Sequence, residues 1–317
     1  MATLKEIAEK SGVSIRTVSR IIKGNGNVSV KALQKVRKEL SKMEYTPNLI
    51  AKALKSQKTG IIGIVAFSLK GQVRYLDGLQ ARLEKQGYKI MLTIADADEM
   101  EYSALKEFCM VCEAILFLRA PASASITLLE DKKIPYLLVN NPEFTELYVD
   151  RKTGIFEAFE RTKHKHYDYY IYITSQRQKD IPKRVAFDRL AQNQKSKVLL
   201  IKVRENDLTS FYVGGYNVGD QVVKYKKAFI FCAVDRIATG LLRRMNELQL
   251  QIPDDYAVLG FDDDLHAQYM SKSLSSISLP VDELCDKTVL YMNKILSGEE
   301  PRSDIQLLTH FVERETT

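Results

Sequence analysis

The spacing of hydrophobic residues changes character once along this chain. Up to about residue 45 the apolar positions recur at intervals of three and four, the period of one helix face. From Ile61 they gather into short continuous runs separated by amphipathic stretches of roughly 12 to 15 residues, the signature of buried parallel strands alternating with helices.

Within the first segment, Thr3 stands three residues before Glu6, so hydroxyl and carboxylate can satisfy each other's backbone amides and start a helix. Leu4, Ile7 and Ala8 share one face of it, and Ser11-Gly12 supplies the residue that takes a left-handed stop. Ser14 caps a second helix, in which Val18, Ile21 and Ile22 form the apolar face while Ile15, Arg16, Thr17, Ser19 and Arg20 cover the rest. After the turn-rich residues 23–27, Ser29 caps a third helix carrying Leu33, Val36, Leu40 and Met43. A two-helix unit with a tight glycine turn presents its second helix outward, and a helix fits the major groove of B-DNA. Arg16 and Arg20, four apart, can reach guanine O6 and N7. The alternative is that both are solvated residues on an ordinary small bundle.

Thr46 and Pro47 then open a segment of about nine helical residues with Leu49, Ile50 and Leu54 on its apolar side. A helix that short is marginal in water and needs a partner to cover it. DNA or a second protomer can serve, with Leu54 wedged between base steps in the minor groove. A linker helix packed on the next domain is the alternative.

Two sets of strand-like runs follow. IIGIVAF, KIMLTIA, AILFL and PYLLVN form the first, with helical stretches near 76–85, 102–112 and 126–130; YYIYIT, KVLLIKV, AFIFCAV and YAVLGF form the second. The expected fold is therefore an N-terminal all-α helix-turn-helix head plus an α/β core of two doubly wound parallel-sheet lobes, with a cleft at the carboxyl ends of the strands. The expected division is a head over 1–45, a hinge helix and linker over 46–60, and a ligand-binding and dimerisation domain over 61–317. Its first lobe takes about 61–149 plus 280–305, and its second about 150–279 plus the C-terminal tail.

Charge sharpens this division. Residues 1–60 hold ten lysines and three arginines against four glutamates, nine positive charges in excess, whereas the remainder carries two negative charges in excess. A strongly basic small segment on a near-neutral large one is an electrostatic footprint for phosphate. No stretch of about 18 uncharged apolar residues occurs, and Lys5, Glu6, Glu9 and Lys10 stand where a signal peptide needs its apolar core, so the chain is expected to be cytoplasmic and to make no membrane contact. Cys109, Cys112, Cys232 and Cys285 lie in apolar surroundings and are expected to be reduced and buried.

The segments TLKEIAEKSGVSIRTVSR and YTPNLIAKALKSQKTGIIGIV resemble the DNA-binding head and hinge of the LacI/GalR family of transcriptional regulators. The stretch from AVDRIATGLLRRMNELQ through GFDDDLHAQYMSKSLSSISLPVDEL is similar to the family's C-terminal lobe, while the middle of the chain matches thinly. The resemblance implies that Ile15, Arg16 and Arg20 occupy base-reading positions and that Thr3, Ser14 and Thr17 sit at phosphate contacts. It further implies that Leu54 is the minor-groove wedge, and that Asn48, Ala51 and Lys55 lie on the hinge helix toward the groove or the partner helix. It implies a core like a periplasmic sugar-binding protein, its lobes joined by three crossovers, and a homodimer on near-palindromic double-stranded operator DNA. No leucine heptad tail follows Glu313, which favours a dimer over a tetramer.

For the effector, Asp150, Asp235 and Asp262 fall at predicted strand ends, where carboxylates suit the paired hydroxyls of a sugar; Asp150 and Asp235 are equally placed to cap the helices that follow. Asp263 reads as structural. The chain departs from the family here. Its first lobe loop, Phe67-Ser68-Leu69-Lys70-Gly71-Gln72-Val73, is about two residues shorter, with Ser68 the remaining polar contact, Val234 replaces a common asparagine, and Lys183 takes the place of an arginine. Lys70, Lys183 and Arg184 admit an anionic effector such as a sugar phosphate beside a neutral sugar.

No phosphate loop, Gly-x-Ser-x-Gly elbow or His-Glu-x-x-His helix occurs, so no enzyme activity, cofactor or metal is expected. Cys109-x-x-Cys112 lacks a second ligand pair and reads as core. The reading is a repressor of a carbohydrate-utilisation operon controlled by a small sugar or sugar-phosphate effector. The alternative is a ligand-independent or protein-partnered DNA binder with a degenerate cleft.

Overall fold

The computed structural model describes residues 3–22, 28–43, 59–69, 71–139, 147–176, 181–192, 196–203, 210–299 and 305–317. The chain divides into two compact units, residues 1–59 and 60–317.

The first unit is built from α1 (Leu4–Ser11), α2 (Ile15–Ile22) and α3 (Val30–Lys42). Each starts on the residue whose chemistry demands it. Thr3 Oγ1 accepts from Glu6 N–H at 3.3 Å while Thr3 N–H donates to Glu6 Oε2 at 2.9 Å, closing the capping box. Ser14 Oγ accepts from Thr17 N–H at 3.1 Å, and Ser29 Oγ from Ala32 N–H at 3.3 Å. Gly12, at φ 63°, ends α1 in the left-handed conformation that leaves only two residues before α2. Ile7, Ala8, Val18 and Val36 are buried at the centre, with Leu4, Val13, Ile21, Ile22, Leu40 and Met43 packed around them.

The second unit holds two four-stranded parallel sheets. In the first lobe, β1 (Ile61–Ala66), α4 (Val73–Lys85), β2 (Lys89–Ile94), α5 (Asp98–Val111), β3 (Ala114–Phe117), α6 (Ser123–Lys132) and β4 (Tyr136–Leu138) alternate, and the strands lie in the order β2-β1-β3-β4. After β5 (Leu147–Asp150) and α7 (Thr153–Thr162), the second lobe repeats the scheme. Its elements are β6 (Tyr169–Ser175), α8 (Ile181–Gln192), β7 (Lys197–Val203), α9 (Ser210–Val222), β8 (Ala228–Cys232), α10 (Asp235–Glu247) and β9 (Tyr256–Leu259), with strand order β7-β6-β8-β9. The chain then runs through β10 (Ser276–Ser278), α11 (Val281–Leu296), β11 (Ile305–Leu308) and β12 (His310–Val312).

The last elements stitch the lobes together. β5 pairs in parallel with β11, and Leu147, Val149 and Leu307 are buried with the first lobe's core. β10 pairs antiparallel with β12, and Ile277 and Phe311 are buried with the second lobe's core. Among the described residues the chain thus passes between lobes three times: from Asp150 to Thr153, from Ser278 to Val281 and from Leu308 to His310.

Two expectations are corrected. Uniform apolar runs predict strands buried on both faces, yet β2 and β7, each at one edge of its sheet, are half exposed along their length, whereas β9 at the other edge of the second sheet is buried throughout. Leu92 and Ile94 on β2 and Leu200 on β7 stay exposed. Cys109 is only half-buried on α5, whereas Cys112, Cys232 and Cys285 are buried. All four cysteines are free, and burial pushes the Cys112 thiol up to about 12, so the pair makes no reactive thiolate.

Candidate nucleic-acid interface and interlobe cleft

In the first unit, burial of Val18 fixes the rotation of α2 and turns its other face to solvent. Ile15, Arg16 and Arg20 are exposed on that face, Ile15 with 49% of its surface accessible, far more than any residue of the small core. Exposed Ile15 beside exposed Arg16 and Arg20 gives this face both apolar and cationic surface to offer a partner. Thr17 is half-buried and its hydroxyl lies 2.8 Å from that of Ser14, at the start of α2 where backbone amides point outward. Thr3 is exposed beside the start of α1. Asn48, Ala51, Leu54 and Lys55 lie outside the described residues, as does Lys70.

In the second unit, parallel strands end on the same side of each sheet; Ser68 follows β1 and Asp262 follows β9 at those ends, while Asp150 ends β5, outside both four-stranded sheets, and Lys183 lies on α8. Ser68 is half-buried. Asp150 closes β5, and its carboxylate accepts from Lys152 N–H at 3.2 Å, Thr153 N–H at 3.3 Å and the Thr153 hydroxyl at 2.5 Å, which makes it the cap of α7.

Asp235 is the first residue of α10 rather than the last of β8, and only 2% of it is accessible. Its Oδ1 is 2.6 Å from the Ser276 hydroxyl and its Oδ2 accepts from Asp264 N–H at 2.7 Å. Gly260 must lack a side chain, because a Cβ there would collide with Asp235 Oδ1. Burial, with the neighbouring Asp262 carboxylate second, pushes the Asp235 carboxyl well above the usual range.

Lys183 is buried on α8, where its ammonium donates to Ala233 O at 2.9 Å and lies 3.5 Å from the centre of the Phe261 ring. Arg184 pairs with Asp188 at 2.5 Å. Asp262 is half-buried after β9 with φ 110°, and Asp263 accepts from Arg314 at 2.7 Å, a structural ion pair.

The first lobe's strand ends carry a group that sequence reasoning missed. Arg119, just after β3, donates to Ala95 O at 2.8 Å and to Asp98 at 2.9 Å, and pairs with the fully buried Glu101 at 3.2 Å. Glu101 Oε1 in turn accepts from Ala122 N–H at 2.9 Å. In sequence Glu101 is one of three acidic residues in the first turn of a helix, which reads as an ordinary exposed charge; only a distant arginine explains its burial.

On the first lobe a cavity of about 300 Å³ lies against Leu76, Tyr88 and Leu92, and another of about 470 Å³ against Leu129, Tyr136 and Leu296. Neither touches the strand-end residues. No described helix is long and apolar enough to cross a membrane, and no group of metal-ligating side chains occurs among the described residues.

A helix-turn-helix head followed by two parallel-sheet lobes joined by three crossings defines a class of proteins that pair a nucleic-acid reader with a two-lobed binding domain. Residues 3–48 match the bacterial regulatory proteins of the lacI family, and residues 132–317, more than half of the chain, match the periplasmic binding protein-like domain. The chain belongs to the lacI family of transcriptional regulators. It is similar to catabolite control protein A of Streptococcus mutans, 25% identical over 99% of this chain and 98% of that one. It is also similar to the ribose operon repressor of Lactococcus lactis, 24% identical over 100% and 98% respectively. Among solved structures it matches a lac repressor dimer bound to operator and an anti-inducer, with a TM-score of 0.80 at 20% identity over 100% of this chain and 99% of that one.

Proposed function

We propose that this protein is a cytoplasmic, non-enzymatic repressor that binds near-palindromic double-stranded operator DNA as a homodimer and is controlled by a small sugar or sugar phosphate between its lobes. The observation that carries the reading is the outward face of α2, where Arg16 and Arg20 are exposed one turn apart and Ile15 is exposed at the helix start, in a segment with nine positive charges in excess. Ile15, Arg16 and Arg20 then read base edges, while Thr3, Ser14 and Thr17 touch phosphate. Asn48, Ala51, Leu54 and Lys55 complete the interface from the hinge. The exposed apolar residues on the edges β2 and β7 support a dimer, since an unpaired edge with Leu92, Ile94 and Leu200 exposed favours a covering partner. Likeness to a ribose operon repressor supports a carbohydrate effector.

Selection from genomic fragments by the purified full chain, followed by titration at several salt concentrations, tests the DNA reading. A shared near-palindromic sequence bound with steeply salt-dependent affinity is expected. Equal binding to all fragments, or a flat salt response, overturns it.

A second reading, a regulator that responds to no small molecule, is favoured by the internal partners of Asp150, Asp235 and Lys183. A thermal-shift series with sugars and sugar phosphates separates the two, because a ligand at 100 times its dissociation constant stabilises by about 2.7 kcal/mol. Stabilisation by any of them supports the first reading, and none across the series supports the second.

A further inference from the structure

Asp262 and Asp263, which follow β9 at the cleft, take a conformation that side chains avoid. Asp262 has φ 110° and Asp263 φ 51°, both in the left-handed half of conformational space. Such backbone persists only where its surroundings over-determine it. Here they do. Asp262 N–H donates to Ile277 O at 3.0 Å, and Asp263 N–H donates to the Ser276 hydroxyl at 3.1 Å. That hydroxyl is bonded to Asp235 Oδ1, while Asp235 Oδ2 holds Asp264 N–H. Asp263 Oδ1 is held from the C-terminal side by Arg314.

A fifth tether comes from the other lobe. Arg74 Nη1 donates to Asp263 O at 3.1 Å. Arg74 lies in the first turn of α4, which contains no acidic residue, and a cation at a helix N-terminus opposes the helix dipole. Its position is therefore explained by its partner across the cleft and not by helix stability.

We infer that Asp235 is the positioning residue of the cleft loop 262–264, and that Arg74 clasps this strained loop from the opposite lobe, so that the chain itself holds the lobes together beside Asp262. Asp235 acts through the loop and not on a ligand. Its carboxylate is enclosed, whereas Asp262, next to the clasped carbonyl, is the position from which a ligand can be met. A ligand that shifts Asp262 moves the carbonyl that Arg74 grips, so occupancy and lobe separation are read through one loop. Only this last consequence rests on the proposed effector control.

Energy transfer between dyes on azide-bearing residues at positions 107 and 226, one on each lobe, tests the clasp in the full chain without DNA. Arg74→Ala is expected to shift the distribution to longer separations at an unchanged thermal midpoint, and Arg74→Lys, which keeps a donor, to shift it less. An unchanged distribution in Arg74→Ala overturns the clasp. Hydrogen exchange tests the positioning role. Ser276→Ala, or Asp235→Ala where it folds, is expected to speed exchange of the 262–264 amides about tenfold, the effect of one lost hydrogen bond, while Asp235→Asn keeps them protected. Unchanged exchange in Ser276→Ala overturns that role. A longer separation in Arg74→Ala in a chain that binds no operator sustains the clasp and removes the proposed function.

Discussion

The head and the cleft use the same kinds of side chain in opposite ways. On α2 the polar and charged residues point outward from a core of four buried side chains, and Arg16 and Arg20 are exposed. At the strand ends the polar residues point into the protein, where Asp150 caps a helix, Asp235 anchors a loop, Lys183 lies on a ring and Glu101 holds Arg119. A surface that meets a large polyanion can leave its cations in water until the partner arrives. A cleft cannot leave charges buried and unpaired between ligands, so most of its polar residues serve as scaffold and few remain to recognise anything.

That contrast can be broken, and the largest effect is expected in the head. Ile7→Ala removes one of the few buried side chains of a very small core and should cost about 2–5 kcal/mol, unfolding the head while the lobes keep their own transition. Calorimetry that shows one transition lowered and the other unmoved supports independent cores; a joint shift would merge the two regions into one cooperative unit.

Arg16→Ala leaves that core intact. It should cost roughly 1–3 kcal/mol at one base pair of each half-site and relax the preference there. Uniform weakening across all sequences would make Arg16 a phosphate contact and blur the line between reading and anchoring.

The smallest effect sharpens the cleft side. Since burial raises the folded pKa of Asp235 above its unfolded value, the native state keeps a proton that the unfolded chain releases. Its stabilising contribution is complete below the ordinary carboxylate pKa and declines as pH rises from there toward the raised value. Asparagine cannot ionise, so Asp235→Asn should gain on the parent protein with increasing pH in urea denaturation. A difference independent of pH would show that Asp235 titrates as an exposed carboxylate.

How legible each region is in the sequence follows from the range of its contacts. The capping box of Thr3 and Glu6, the stop at Gly12 and the cap at Ser14 are bonds between residues three or four apart, and all appear in the structure as the sequence pattern predicts. The two sets of four strands are equally plain, because periodicity is a local property. Edge strands are not, since nothing in KIMLTIA or KVLLIKV says that a neighbour is missing on one side. Asp235 and Ser276, or Asp263 and Arg314, are brought together only by the fold across 41 and 51 residues. Arg74 as a bridge between lobes, across 189 residues, leaves only the faint local trace of a cation in the first turn of a helix, which does not name its partner.

The three crossings between lobes have a mechanical consequence. Three strands of chain side by side act as a leaf spring: they bend together easily, but sliding or twisting one lobe on the other would stretch one crossing against its neighbours through the β5–β11 and β10–β12 pairings. Such a joint resists sliding more than bending, so an opening angle is the quantity that many different occupants of the cleft would set in common.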